Sequence, residues 1–159
     1  MEEIVVRKAK IEDLQQLAQL IVRMKKLNEE FDPFFKVVPD AEKQALKYLS
    51  NSLNSENSVI FVSTNGKKIL GIIRAEIEDR IFYEPSERGH ITDFYILPEA
   101  RRRALGNEML LQISKELKRM GAEMITAEFP AQNEIAVRFY HKRGFRALTN
   151  IFAKMDERQ

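Results

Sequence analysis

The stretch Ile91 to Leu111, ITDFYILPEARRRALGNEMLL, admits few local structures. An apolar run from Ile91 to Leu97, rich in β-branched and aromatic residues, stops at Pro98, and a helical pattern takes over from about Arg103. That is a strand, a turn and a helix. Between the two elements lie Arg101, Arg102, Arg103, Ala104, Leu105 and Gly106, so cations and small residues sit where the new helix still has unpaired backbone N–H groups. Free amides pointing outward and the positive end of the helix dipole together attract phosphate, so the sequence offers an anion site. Three consecutive cations left to solvent are the plainer alternative.

A second stretch, Asn133 to Phe145, reads NEIAVRFYHKRGF and predicts a helix from Asn133 to Arg143 with Gly144 as its C-terminal cap. Asn133, Ala136 and Tyr140 are spaced i, i+3, i+7, which puts them on one helical face and leaves Phe139 to point towards the core. The polar ends of Asn133 and Tyr140 can then reach one ligand. A core aromatic is the alternative for Tyr140.

The first stretch resembles the acyl-CoA-binding motif of the GNAT superfamily of N-acyltransferases, Q/R-x-x-G-x-G/A after a strand that ends in an x-x-P turn. Arg101 takes its first position and Gly106 its last, while Ala104 replaces the middle glycine. The second resembles the later motif of that superfamily, N-x-x-A-x-x-F/L-Y-x-x-x-G-F, at every named position. The resemblance covers the chain from about Ile4 to Met155.

At 159 residues the chain is expected to form one domain, long enough to bury roughly two-thirds of its unfolded surface without disulfide or structural metal. It has no cysteine, and His90 and His141 stand in no metal-ligand spacing, which argues against zinc and against a cysteine nucleophile. No metal cofactor is implied. Lys plus Arg total 26 against 24 acids, and the charges alternate along the chain, so the net charge of +2 does not suggest a nucleic-acid partner. No apolar signal segment opens the chain, and no run approaches the ~18 apolar residues of a membrane span. A cytoplasmic protein with no membrane partner is the expectation.

In order, Ile4 to Arg7 reads as a strand and Ile11 to about Glu30 as a helix with Leu14, Leu17, Ala18, Ile21 and Met24 on its core side. Asn28 to Pro39 breaks that helix and carries Phe31, Phe34 and Phe35, which either pack locally or wall an acceptor site. Asp40 to about Leu53 predicts a second helix. Val59 to Ser63, the turn Asn65-Gly66 and Ile69 to Ile77 predict a tight hairpin, Asn-Gly supplying the positive φ values that such turns need. Glu78 to Gly89 is expected to be a polar loop, with Phe82 and Tyr83 in plain loop packing ahead of a substrate-edge or dimer-contact role. After the motif helix, Gly121 marks a stop, Glu123 to Phe129 a strand, and Phe145 to Met155 one strand or two that complete the sheet.

The order β-α-α-β-β-β-α-β-α-β gives an α/β fold, a mixed and mostly antiparallel sheet with helices on both faces, which is also what the resemblance implies. The resemblance further implies that the strands carrying Phe94 to Leu97 and Thr126 to Phe129 splay apart to admit the pantetheine arm of acetyl-CoA. It assigns the backbone of Phe94, Tyr95 and Ile96 to pantetheine and thioester, and the amides of Arg102 through Asn107 to the phosphates. Asn133 would contact the CoA arm and Tyr140 would protonate the departing thiolate. Glu128 matches the general base of the ribosomal-protein N-terminal acetyltransferases. His90 is its rival, at the mouth of the strand where other members place a catalytic glutamate or histidine, a side chain type suited to a base near neutrality; a plain surface carboxylate for Glu128 and, ahead of the base, a satisfied structural histidine for His90 are the alternatives. The activity so implied is direct transfer of an acetyl group to an amine, on a small molecule or a protein. A non-catalytic acyl-CoA sensor is the alternative, and a homodimer is common among relatives.

Overall fold

The computed structural model of the chain describes residues 3–101 and 104–157. Five strands, β1 (Val5–Lys8), β2 (Ser58–Thr64), β3 (Ile69–Asp79), β4 (Glu87–Ile96) and β5 (Ile125–Ala127), form one sheet in sequential order. All neighbours are antiparallel except β4 and β5, which run parallel. Parallel neighbours need a crossover, and helix α3 (Leu105–Arg119) supplies it. Helices α1 (Leu14–Phe31) and α2 (Ala41–Leu53) precede β2, and α4 (Glu134–His141) follows β5.

The helices divide between the two faces of the sheet. On one face Tyr48 of α2 and Lys25 of α1 reach Asp93 of β4, and Ser52 of α2 meets Arg74 of β3. On the other, Phe139 of α4 packs on Phe94, and a Cβ placed on Gly89 would stand 2.7 Å from Leu117 of α3. Both layers rest on a core of Leu17, Leu49, Ile72, Ile73, Ile113 and Leu117, all fully buried. Each such side chain contributes roughly 1.5–3 kcal/mol by leaving water.

The hairpin between β2 and β3 is not the two-residue turn expected. Only Gly66 has positive φ; Asn65 instead accepts the Lys67 and Lys68 amides on Oδ1, and its own amide reaches the Lys68 carbonyl. The side-chain acceptor builds a longer loop that one left-handed residue suffices to close. β3 and β4 also run further than their apolar runs predict, so the connection shrinks to residues 80–86. It does not pack as expected: Phe82 is 85% and Tyr83 66% exposed. Phe34 and Phe35, in a 3-10 turn that Asp32 caps, stay half-exposed rather than covered.

The strand expected over Phe145 to Met155 is absent. Phe145 folds back on Tyr140 through its amide and its ring, and from Arg146 to Glu157 the chain is irregular and exposed, Phe152 by 92%. A strand needs a neighbour to take up its backbone groups. β5, the edge it would have joined, is three residues long.

Candidate active site

The site begins with one extra residue. Arg74 pairs with Asp93 and Ala75 with Ile91, which leaves Thr92 unmatched as a β-bulge in β4. The bulge turns Thr92 and Asp93 to the same face. There Asp93 Oδ2 accepts from Tyr48 Oη at 2.5 Å and from Thr92 Oγ1 at 2.8 Å, while Arg74 Nη1 donates to Thr92 Oγ1 at 2.9 Å. Asp93 Oδ1 is buried without a hydrogen bond, yet Lys25 Nζ lies 3.0 Å away as an ion pair. Burial, then the charge and hydrogen bond of Asp93, push the Tyr48 phenol up from its ordinary pKa. Motif reading missed this network because its members come from four separate elements.

At the bulge β4 and β5 part. Their register stops at Ile91 with Ala127, and one further bond follows, from the Glu128 amide to the Ile91 carbonyl at 3.1 Å. Beyond it, Thr92 to Ile96 have no neighbour on that side among the described strands. The Leu97 amide bonds the Leu70 carbonyl, which makes Ile96 and Gly71 a non-hydrogen-bonded pair. By the alternation of an antiparallel ladder, Phe94 and Ile96 therefore turn their N–H and C=O groups into the gap. Tyr95 departs from expectation: its backbone polar groups face Ile72 in the ladder, not the gap.

The other rim carries the second motif. Asn133 is the N-cap of α4, its Oδ1 accepting the Ala136 amide at 3.1 Å, so N-x-x-A is in the first place a helix start and only the amide nitrogen of that side chain stays free. Phe139 points towards the core as expected, and Tyr140 is buried too, the core aromatic that was the alternative for it. Tyr140 is 7% exposed, stacked on Phe129 at 5.3 Å and edged by Phe139 and Phe145, whereas Phe139 is half-buried and reaches Phe94. Burial raises the pKa of the Tyr140 phenol, so it keeps its proton. Its hydroxyl forms no hydrogen bond among the described residues.

The turn expected to take an anion lies at the end of β4. The first intrahelical bond of α3 runs from the Glu108 amide to the Ala104 carbonyl at 2.9 Å, which leaves the amides of Leu105, Gly106 and Asn107 without intrahelical partners. Gly106 is needed for packing too, since a Cβ there would stand 3.1 Å from Phe139 Cε1. The Arg101 side chain turns back, Nε donating to the Ile96 carbonyl at 2.9 Å, and caps the strand. Arg102 and Arg103 lie outside the described residues. Arg143, which sequence reading passed over, reaches this turn: Nε donates to Asn107 Oδ1 at 3.0 Å and the guanidinium covers the Phe139 ring at 3.8 Å.

His90 and Glu128, rivals by sequence, are partners in space. His90 Nε2 is 2.6 Å from Glu128 Oε1, and Nδ1 is 2.7 Å from Thr126 Oγ1. The imidazole is nearly enclosed, with its side chain 10% exposed, while that of Glu128 is 59% exposed at the head of the gap. Across β3, Glu76 pairs with Arg74 and Glu78 with Arg88. Burial works to raise Glu78, but the Arg88 hydrogen bond and the nearby charges of His90 and Arg88 outweigh it, and its carboxyl lies below the usual range. Among the described residues no three metal-ligating side chains gather, and no helix is long and apolar enough to cross a membrane.

The family model described as Acetyltransferase (GNAT) family matches residues 24–145. The fold is also that of solved structures. One is an aminoglycoside N-acetyltransferase in complex with CoA, at TM-score 0.77 and 13% identity over 97% of this chain and 95% of that one. Another is an aminoglycoside 6'-N-acetyltransferase from Acinetobacter haemolyticus, at TM-score 0.75 and 15% identity over 98% and 99%. A third is a predicted acetyltransferase from Clostridium acetobutylicum solved with acetyl-CoA, at TM-score 0.73 and 20% identity over 97% and 96%. No curated protein is significantly similar to the chain in sequence.

Proposed function

The chain belongs to the GNAT family of acetyltransferases, and from that premise we propose that it transfers the acetyl group of acetyl-CoA to a primary amine by direct attack in a ternary complex. The observation that carries this reading is the gap between β4 and the chain after β5. Backbone groups of Phe94 and Ile96 open into it, Glu128 stands on the face of α1 and α2, and Tyr140 stands with Phe129 on the face of α4. Base and acid thus approach one reaction centre from opposite sides.

The amine nitrogen attacks the thioester carbonyl carbon, a C–N bond forms, and the C–S bond breaks. An amide such as that of Ile96, held by the sheet, stabilises the developing oxyanion without reorganising. The amine loses its proton to Glu128, directly or through water, and the thiolate takes one from Tyr140. By ordinary values, phenol near 10 and thiol near 8.5, that last transfer is unfavourable. An apolar surrounding raises the departing thiol as it raises the phenol, so the transfer stays uphill by a similar amount and is drawn forward when the Tyr140 phenolate recovers a proton from solvent. No acyl-enzyme is required. The amides of Leu105, Gly106 and Asn107 would meet the pyrophosphate, with Arg143 beside them and Arg102 and Arg103 adding charge.

The acceptor would be a small amine or a protein amine, met in the cytoplasm, and the whole chain would act as one catalytic domain. Since two of the similar structures are aminoglycoside N-acetyltransferases, a test panel starts with amino sugars and adds polyamines, lysine-containing peptides and protein N-termini. Free thiol release and mass spectrometry of the acceptor are the readouts. Release of CoA matched by a gain of one acetyl group on an amine is the expected outcome. Tight acetyl-CoA binding with no acceptor turned over across the panel would favour a sensor on the same fold.

A further inference from the structure

We infer that His90 is a positioning residue that aims Glu128, with Thr126 fixing the hydrogen of the imidazole, rather than a base that meets the amine. This rests on the reading above, in which Glu128 receives the proton. To act so, Glu128 must be the carboxylate, which offers only lone pairs. The 2.6 Å contact then requires a hydrogen on His90 Nε2. In the neutral ring Nδ1 is left as an acceptor, and the Thr126 hydroxyl at 2.7 Å is the donor it needs.

Both ring nitrogens are thus occupied by protein, and the residue is 8% exposed, so neither nitrogen is free to reach an acceptor. Glu128 differs. Its side chain is largely exposed and only Oε1 is tied, which leaves Oε2 for the amine or for a water before it. A glutamate just past a strand end has rotamers to spare, and a hydrogen bond to a buried ring removes most of them. His90 sits opposite Glu76 across the β3–β4 ladder, and its charge, when present, is felt by Glu78. Those two carboxylates already answer to Arg74 and Arg88. Glu128 is therefore the one acid among these three that relies on His90.

Two substitutions separate this role from the alternatives. Gln places its amide nitrogen where Nε2 stood, so His90→Gln keeps a donor to Glu128; Asn places its amide near Nδ1, so His90→Asn keeps only the Thr126 contact. With the most active acceptor of the panel, His90→Gln should stay within about threefold of wild-type kcat/KM and keep the shape of its pH profile. His90→Asn should fall roughly tenfold or more, chiefly in kcat, on the scale of a positioning loss. Loss of activity in both variants, each shown folded by circular dichroism, or a flattened pH profile in His90→Gln, would make His90 the base and overturn the inference. Equal, near-wild-type activity in both would overturn it as well. Nitrogen-15 NMR of the imidazole needs no turnover: above neutrality it should show hydrogen on Nε2, and Thr126→Val should shift the Nδ1 resonance. Hydrogen on Nδ1 would end the proposal whatever the enzyme acetylates. The Nε2 form with no acceptor acetylated would instead fault the functional reading and leave the hydrogen-bond assignment standing.

Discussion

The two faces of β4 are built from different materials. On the face of α3 and α4, and in the gap beside it, the groups that would hold the cofactor are backbone amides and aromatic rings: the free amides at the start of α3, the edge of Phe94 with the amide of Ile96, and the cage of Phe129, Phe139 and Phe145 around Tyr140. On the face of α1 and α2, the strand carries side-chain charge: Asp93 with Tyr48, Lys25 and Arg74, then His90 with Thr126 and Glu128. A backbone-built surface tolerates many sequences so long as small residues stand at the close approaches. A surface made of charged side chains fails when one partner is removed, because the others stay buried and unpaired.

The sharpest way to break that contrast is Asp93→Ala. It removes the acceptor of the Tyr48 hydroxyl and the ion-pair partner of Lys25 and should cost about 1–3 kcal/mol in chemical denaturation; a loss below about 0.5 kcal/mol would show that the charged face is no more fragile than the other. On the cofactor face the largest effect should be chemical. Tyr140→Phe removes one hydroxyl that has no protein partner among the described residues, so stability and acetyl-CoA affinity should hold while turnover drops by about 100-fold. Wild-type turnover at saturating acceptor would reduce Tyr140 to packing. Gly106→Val tests the close approach: its side chain would press on Phe139 and push the start of α3 outward, and acetyl-CoA affinity by calorimetry should fall roughly tenfold, about 1.4 kcal/mol. Unchanged affinity in a folded variant would sink the anion turn.

The smallest effect concerns how α1 is anchored to the sheet. Asp13, just ahead of α1, is held below its ordinary pKa chiefly by its hydrogen bonds from Arg7 of β1. A lowered carboxylate stabilises the fold above the unfolded-state pKa of about 3.9 and loses that contribution as pH falls through its folded value. Asp13→Asn should therefore cost about 1 kcal/mol at neutral pH, and the gap from wild type should close in acid. A gap that is constant with pH would mean the ion pair contributes nothing.

Much of the face of α3 and α4 was legible before any coordinates. Arg101 to Gly106 and Asn133 to Phe145 are contiguous, and contiguous residues on a turn or a helix have relative positions that local geometry dictates. Even so, packing chose where local reading left options: Phe139 does turn inward, but Tyr140, placed on the ligand face, is the more deeply buried of the two. Local reading did not see that Asn133 also caps the helix, which takes up its side-chain oxygen. It completed the sheet with residues 145–155, which find no edge long enough to pair with.

The sequence by itself determined the elements from α1 through α4, the short turn that leads into α3 and the placing of Tyr140 and Glu128 close to one another along the chain, because period, caps and turn residues act over a few positions. Only the tertiary structure decided that Thr92 is a bulge, that Asp93 is covered by α1 and α2, and that His90 and Glu128 are a pair rather than alternatives. Those facts depend on strand register, and register is set by where apolar faces meet across the sheet, over separations such as the 38 residues from His90 to Glu128.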